Sequence, residues 1–223
     1  MASQFAPKEP RDILVAWVVL SLALSFRSLV NLVQGTDPFA NLEFVAAAAI
    51  AGATGFILHE MGHKFVAVRY GYVAHFQLWR SGLLLLIFTA VISSLFGTFF
   101  LFGAPGAVYI APGAAAGYYG YGYYSSNYKQ LNPEKENTWI SAAGPGLNLL
   151  FALLFFIALL VPSSYFVTLV ATDGLYLNLL LGAFNMLPVP PLDGYKIFRG
   201  NILLALAIAL PLWVGALYLF LIG

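Results

Sequence analysis

The sequence contains no cysteine among its 223 residues, and charged residues make up only 9% of it. The absence of cysteine excludes a disulfide framework and a thiolate nucleophile, so any bound zinc must be held by nitrogen and oxygen ligands. The formal net charge is +1 and basic residues form no run, which predicts no nucleic-acid partner. Because 61% of the residues are apolar, the polar positions are too few to cover a water-soluble domain. The composition therefore predicts a protein whose surroundings are a lipid bilayer.

Long apolar runs predict five transmembrane helices within a single domain that comprises residues 1–223. The runs lie at about 12–33, 42–68, 138–161, 165–190 and 200–222. The first run has features of a cleaved signal peptide, but it resumes after Arg27 and is long enough to span, which favours a retained helix. Most basic residues, Lys64 among them, flank span ends, and the positive-inside rule makes these ends cytoplasmic. We expect a multi-pass protein of the cell membrane.

A further apolar stretch, at residues 83–102, has two interpretations. A single crossing there would place Lys196 and Arg199 outside, so we expect the stretch to re-enter the membrane or to lie on its surface. A sixth transmembrane helix is the alternative. The polar region that follows, at about 104–137, is predicted to be a mobile cytoplasmic loop. It begins with a short strand-like run at 107–110. It continues into a Gly/Tyr-rich tract at 113–128, which could instead form a flap that gates substrate entry.

The histidine motif, residues 59–63, carries the clearest chemical signal. His59 and His63 are four residues apart in an apolar helix, so their imidazoles project from one face and can share a metal ion. Glu60 stands beside the open coordination position, where a general base is needed. A chance pattern, or a pair of buried structural histidines, is the alternative. Because ionisable groups inside hydrocarbon are costly and generally functional, the motif predicts a hydrolytic zinc site.

Catalytic zinc takes three protein ligands, so one more ligand must come from elsewhere in the chain. Asp173 and Asp193 are the candidates at membrane depth, whereas His75 follows a helix end and is expected at the interface. Twenty residues of helix rise about 30 Å, which puts the two aspartates on opposite sides of the bilayer. Asp193 precedes basic residues and shares the cytoplasmic depth of His63, and the three prolines before it predict a broken helix that lines a cavity. The alternative is that Asp193 only caps the next helix.

Three motifs together resemble those of the site-2 protease family of intramembrane metalloproteases. They are the histidine motif with its continuation to residue 71, the segment 143–148 and the segment 185–194, and they cover a core of about 43–200. The resemblance implies a three-helix catalytic core. The predicted fold is therefore an all-α polytopic membrane protein of about five to six transmembrane helices. A short strand-like or re-entrant region is expected between the second and third core segments.

The resemblance also implies regulated cleavage of transmembrane protein substrates and one zinc ion (Zn²⁺) per chain. The cytoplasmic depth that Asp193 and His63 share predicts an active site toward the cytoplasmic side. The implied zinc ligands and catalytic base are His59, His63, Asp193 and Glu60. Asn185 is implied to hold the substrate or the oxyanion. Asn148 is a second candidate for substrate binding, although its Gly-Pro-x-x-Asn element equally fits close packing of helices. Membrane zinc binding or transport, and a pseudoprotease that binds helices without cutting them, are the alternative functions.

Overall fold

A computed structural model describes residues 6–97, 101, 103–111 and 133–222 of the chain. Within these residues the protein is helical, with one two-stranded antiparallel sheet. The elements, in chain order, are α1 Glu9–Leu24, α2 Phe26–Val33, α3 Pro38–Gly52, a π-helical turn Ala53–Ile57, α4 Leu58–Arg69, β1 Val73–Leu78, α5 Arg80–Phe96, β2 Gly106–Ala111, α6 Pro133–Leu159, α7 Tyr165–Asn185, α8 Asp193–Gly200 and α9 Ile202–Ile222. The predicted fold class is confirmed.

Among the residues that the structure describes, four helices are long and apolar enough to cross a bilayer by themselves. They are Pro38–Arg69, Glu134–Leu159, Tyr165–Asn185 and Ile202–Leu221. A fifth crossing results if α1 and α2, which are bent by 67°, form one broken span. These elements match the five predicted spans, but the span predicted at 165–190 ends at Asn185, because the prolines that follow cannot continue a helix.

The apolar stretch predicted to re-enter the membrane, at 83–102, overlaps α5, a helix of 17 residues that is about 25 Å long. The strand before it ends at Leu78, and Leu78 pairs with Gly106 at the start of the strand after it. The segment between these two residues therefore returns to the place where it began. This geometry supports the re-entrant interpretation over a sixth crossing. On its way α5 packs Leu86 and Ala90 into a buried cluster with α1.

The polar region predicted as a mobile loop at 104–137 has ordered ends. Gly106–Ala111 is the strand β2, which accounts for the strand-like run seen in the sequence. Helix α6 already begins at Pro133, because proline is compatible with the first turn of a helix. The strand therefore agrees with the expected strand-like run, whereas the loop prediction was wrong at its far end, where residues 133–137 are helical. The Gly/Tyr-rich tract at 113–128 lies outside the described residues, and its role as loop or flap stays a prediction.

Two buried apolar clusters lie on either side of the helix that carries the histidine motif. One is formed by α6, α7, α8 and α9 and contains Met186, Ile197 and Leu212, each with 0% of its surface exposed. The other joins α1, α4, α5 and β1 and contains Phe76 and Met61. Helix α4 contributes Met61 to the second cluster and also packs on α6, which belongs to the first, so the histidine motif lies where these helices meet.

Candidate metal centre

The span that carries the histidine motif changes its helical winding just before the motif. Residues Ala53–Ile57 form a π-helical turn, and α4 continues from Leu58. The backbone carbonyl of Gly55 in this turn accepts a hydrogen bond of 2.8 Å from Asn148 Nδ2 on α6. Such π-turns inside α-helices occur frequently at functional sites. Here the turn fixes the contact between the span and α6 about one helical turn before His59.

Three potential metal ligands converge at the centre of the bundle. His59 Nε2 lies 3.1 Å from His63 Nε2, and Asp193 Oδ2 lies 3.4 Å from the first and 3.1 Å from the second of these nitrogens. A tetrahedral zinc ion with bonds of about 2.0–2.1 Å has ligand atoms about 3.3 Å apart. The donor set of two imidazoles and one carboxylate also suits zinc. The three residues therefore fit a zinc ion in both spacing and chemistry.

Each imidazole is oriented by a hydrogen bond at its other ring nitrogen. His59 Nδ1 lies 2.6 Å from Asn148 Oδ1, and His63 Nδ1 lies 2.7 Å from the backbone carbonyl of Ile140. Both partners are acceptors, so in each ring the proton belongs on Nδ1 and the lone pair of Nε2 faces the other ligands. This is the tautomer that metal coordination through Nε2 requires. The contacts of α6 thus prepare both histidines for a metal ion.

Asn148 has a different place from the one predicted for it. Its side chain is completely buried, and its Nδ2 donates both to Gly55 and, at 3.0 Å, to Asn178 Oδ1 on α7. Asn178 in turn donates to the backbone carbonyl of Gly174 at 2.8 Å and to Thr54 Oγ1 at 3.2 Å. All polar atoms of Asn148 are therefore engaged within the protein. The expectation that it binds substrate is not supported, and the structure instead makes it the residue that orients His59.

Gly144 explains why the Gly-Pro-x-x-Asn element needs a small residue. A β-carbon added at this position would lie 2.7 Å from His59 Nε2 and would collide with His63 Nε2. The bare backbone of α6 therefore provides the room in which the two imidazoles approach each other. The packing interpretation of this element agrees with this contact, and the side chains that pack against the glycine are those of the two histidines.

Asp193 reaches the histidines because the chain turns sharply after α7. The prolines of the segment 185–194 end that helix, and α8 begins at Asp193 with Leu192 in the capping position and no side-chain cap. Gly194 lies against the backbone carbonyl of Met186, where a side chain would not fit. The carboxylate of Asp193 therefore faces the imidazoles and does not cap the helix. Asp173, the other predicted candidate, lies along α7 outside this cluster.

Glu60 lies next to the ligand cluster and contacts the sheet. Its Oε2 accepts a hydrogen bond of 2.8 Å from the backbone N–H of Val108 in β2. Nothing in the sequence pattern indicated this contact, although the strand-like character of residues 107–110 was recognised.

His75 lies in β1, where burial lowers the pKa of its imidazole. Asn185 ends α7 with Nδ2 donating to the carbonyl of Leu181 at 3.1 Å, and its substrate-binding role stays a prediction.

Comparison with known proteins agrees with this geometry. The model of peptidase family M50 matches residues 47–173, which include the histidine motif and the element at 144–148. The chain belongs to this family. The resemblance to the site-2 proteases is thereby confirmed, and membership in family M50 makes the protein a zinc metalloprotease. Asp193 lies beyond the matched range, so its assignment depends on the distances given above.

Two proteins whose names describe candidate zinc metalloproteases are similar to this member of family M50. One, from Methanocaldococcus jannaschii, is 32% identical over 218 residues, which are 97% of this chain and 96% of that protein. The other, from Bacillus subtilis, is 38% identical over 77 residues, which are 30% of this chain and 35% of that protein. No solved structure matches the chain.

Proposed function

We propose that the protein is an intramembrane zinc endopeptidase that hydrolyses a peptide bond within or near a transmembrane helix of a membrane-protein substrate. The observation that carries this proposal is the convergence of His59, His63 and Asp193 at separations of 3.1 and 3.4 Å inside a bundle of membrane helices. Glu60 follows the first of these ligands directly in the sequence, as in the HExxH pattern of metal-dependent proteases. We place the site toward the cytoplasmic side of the cell membrane.

Zinc would be held by the two imidazoles and the carboxylate, and it would lower the pKa of a water molecule toward about 7 and polarise the scissile carbonyl. Glu60 removes a proton from the attacking water and later delivers it to the nitrogen of the leaving amine. The N–H of Val108 occupies Oε2 of Glu60, so we assign the proton transfers to Oε1. Asn148 and Ile140 hold the imidazoles in place throughout the reaction.

A helical substrate must unwind before attack, because its carbonyls are engaged in hydrogen bonds within the helix. Glycine, proline or other weak helix formers in the cleaved region reduce the cost of unwinding. The outer edge of β2 is close to Glu60, since the N–H of Val108 leaves the sheet toward that carboxylate. The backbone N–H and C=O groups of every second residue in a strand point to the same edge. The groups of Ile110 therefore point to the same outer edge as those of Val108. We propose that the unwound segment of the substrate pairs with this edge.

Asn185 is the residue that we assign to contact with the substrate. It is half-buried and ends α7 immediately before the proline segment that leads to Asp193. Its amide is therefore positioned near the turn where a substrate backbone would approach the ligand cluster. A neutral amide that donates to a carbonyl oxygen can stabilise the charge that develops on this oxygen during hydrolysis.

The test is a cleavage assay in vesicles that contain the protein and a transmembrane substrate with a Gly-Pro pair in its helix. Glu60→Gln should retain zinc and lose about 10²- to 10⁴-fold in rate, which is the usual contribution of a general base. Glu43→Gln is the matched control, because Glu43 is another carboxylate of the same span and lies outside the ligand cluster. Unchanged cleavage by Glu60→Gln would reject the assigned role. Zinc passage across the vesicles without peptide cleavage would instead indicate a transporter.

A further inference from the structure

A buried ion pair joins the first helix to the helix of the histidine motif. Lys64 Nζ lies 2.6 Å from Glu9 Oε1, and the two residues have 0% and 1% of their surface exposed. Lys64 directly follows His63, and the sequence suggested only that it marks the cytoplasmic end of a span. The structure instead buries its ammonium group against the start of α1.

Such a pair needs a reason other than stability. Removing two opposite charges from water costs several kcal/mol per ion, and well-packed apolar residues in their place are often equally stable. The carboxylate of Glu9 has further partners that indicate the reason. Its Oε1 also accepts the backbone N–H of Phe76 in β1 at 2.8 Å, and its Oε2 accepts the N–H of Ala6 at 3.0 Å. The ion pair therefore fastens the sheet to the helices.

The fastened residue of β1 lies directly across the sheet from the residue that contacts the general base. Phe76 and Val108 are paired in the antiparallel register, and the N–H of Phe76 points outward to Glu9 while that of Val108 points outward to Glu60. Glu60 and Lys64 are four residues apart on α4 and so lie on the same side of that helix. The contacts form a closed ring that leaves α4 at Lys64 and returns to it at Glu60.

We propose that Glu9 and Lys64 are positioning residues for Glu60, which they hold through the sheet. This inference rests on the role proposed above for Glu60 as the general base. The ion pair fixes where Phe76 lies, the sheet transmits this position to Val108, and the N–H of Val108 fixes one oxygen of Glu60. Without the pair the sheet loses its ionic link to α4, while its apolar packing on that helix and the hydrogen bond from Val108 to Glu60 remain. A misplacement of about 1 Å in a catalytic group can cost about 10²-fold in rate.

The decisive variant is the double substitution Glu9→Leu/Lys64→Met. It removes both charges together, so that neither is left buried and unpaired, and it keeps the side-chain volumes similar. We expect kcat to fall about 10- to 100-fold, while KM and the zinc content stay unchanged. We also expect faster amide hydrogen exchange at residues 106–111, because the sheet is held less firmly against α4. An ion pair that only stabilises the fold would leave the kcat of the folded enzyme unchanged.

A matched control is available on α1. Arg11 and Asp12 form an ion pair of 3.2 Å whose arginine side chain is 71% exposed. Arg11→Met therefore removes an ion pair near Glu9 without touching the ring. We expect wild-type kcat and wild-type amide exchange for this variant.

The route through the sheet is tested with Val108→Pro, which removes the N–H that reaches Glu60 but no hydrogen bond between the strands. If the ion pair and Val108 act on Glu60 by the same route, combining Val108→Pro with Glu9→Leu/Lys64→Met should reduce kcat no further than the more severe of the two changes alone. If the two reductions in kcat multiply in the combined variant, the proposed route through the sheet is wrong.

The outcomes separate this inference from the proposed function. If the unaltered protein cleaves and Glu9→Leu/Lys64→Met has the same kcat, the positioning role is refuted while the protease assignment stands. If the unaltered protein does not cleave a transmembrane substrate, the proposed function fails. In that case amide exchange decides alone, and unchanged protection of residues 106–111 in Glu9→Leu/Lys64→Met would refute the anchoring.

Discussion

Replacement of Asn148 by leucine should weaken zinc binding although Asn148 is not a ligand. Leucine has a similar volume, so the substitution leaves no large cavity in the buried position that Asn148 occupies. It removes the acceptor, 2.6 Å away, that holds His59 Nδ1. The imidazole can then rotate and can carry its proton on either nitrogen, and only one of these forms offers Nε2 to a metal ion.

The expected loss follows from the role of this hydrogen bond. Loss of a partner that orients a metal-bound histidine typically lowers metal affinity 10- to 100-fold, or by about 1.4–2.7 kcal/mol. Asn148→Leu also leaves the carbonyl of Gly55 and the side chain of Asn178 without their donor. Each buried group that loses its partner costs about 1–3 kcal/mol of stability. The variant should therefore be both less stable and weaker in zinc binding.

Zinc affinity is measured by competition with a chelator, and stability by denaturant titration in detergent. Asn41→Leu is the control, because Asn41 is also buried in a membrane helix and donates to the backbone carbonyl of Asp37 at 2.7 Å. It should lower stability while zinc affinity stays within about twofold of the unaltered protein. If both variants bind zinc equally well, Asn148 does not orient His59 and the argument from its hydrogen bonds is wrong.

Two further substitutions test the surroundings of the site and the fold. Gly144→Ala should abolish zinc binding, measured as metal content, because its β-carbon would lie 2.7 Å from His59 Nε2 and would push the imidazoles apart; full zinc occupancy would show that α6 can move away. Asp37→Ala removes the side-chain oxygen that caps α3 through the N–H groups of Phe39 and Ala40, so it should cost about 1 kcal/mol in denaturant titration. It should leave cleavage unchanged, and a loss of activity would contradict the separation of this cap from the site.

The parts of the fold and site that the sequence predicts are those encoded locally. Apolar runs of sufficient length predicted the spans, and the spacing of His59 and His63 on one helix predicted their shared face. The depth argument that favoured Asp193 over Asp173 also agrees with the structure, since it used only helix rise and the basic residues that follow. Each of these inferences needs no knowledge of how one helix is rotated against another.

The contacts that the sequence did not predict depend on that rotation. Asn148 and His59 are 89 positions apart, and their hydrogen bond exists only because α6 presents one particular face to α4. Lys64 was interpreted as a flanking charge, since its partner Glu9 lies 55 positions earlier in another helix. The bend of 67° after Leu24 occurs without proline or glycine, so the apolar pattern of the first span did not indicate it.

X-ray absorption at the zinc edge shows whether His59, His63 and Asp193 together hold one zinc ion. For the purified protein we expect one zinc per chain with two nitrogen ligands and at least one oxygen ligand at about 2.0–2.1 Å. Asp193→Ala should lose the metal or one oxygen from its coordination. A zinc environment that is unchanged in Asp193→Ala, or a purified protein that takes up no zinc, would contradict the account.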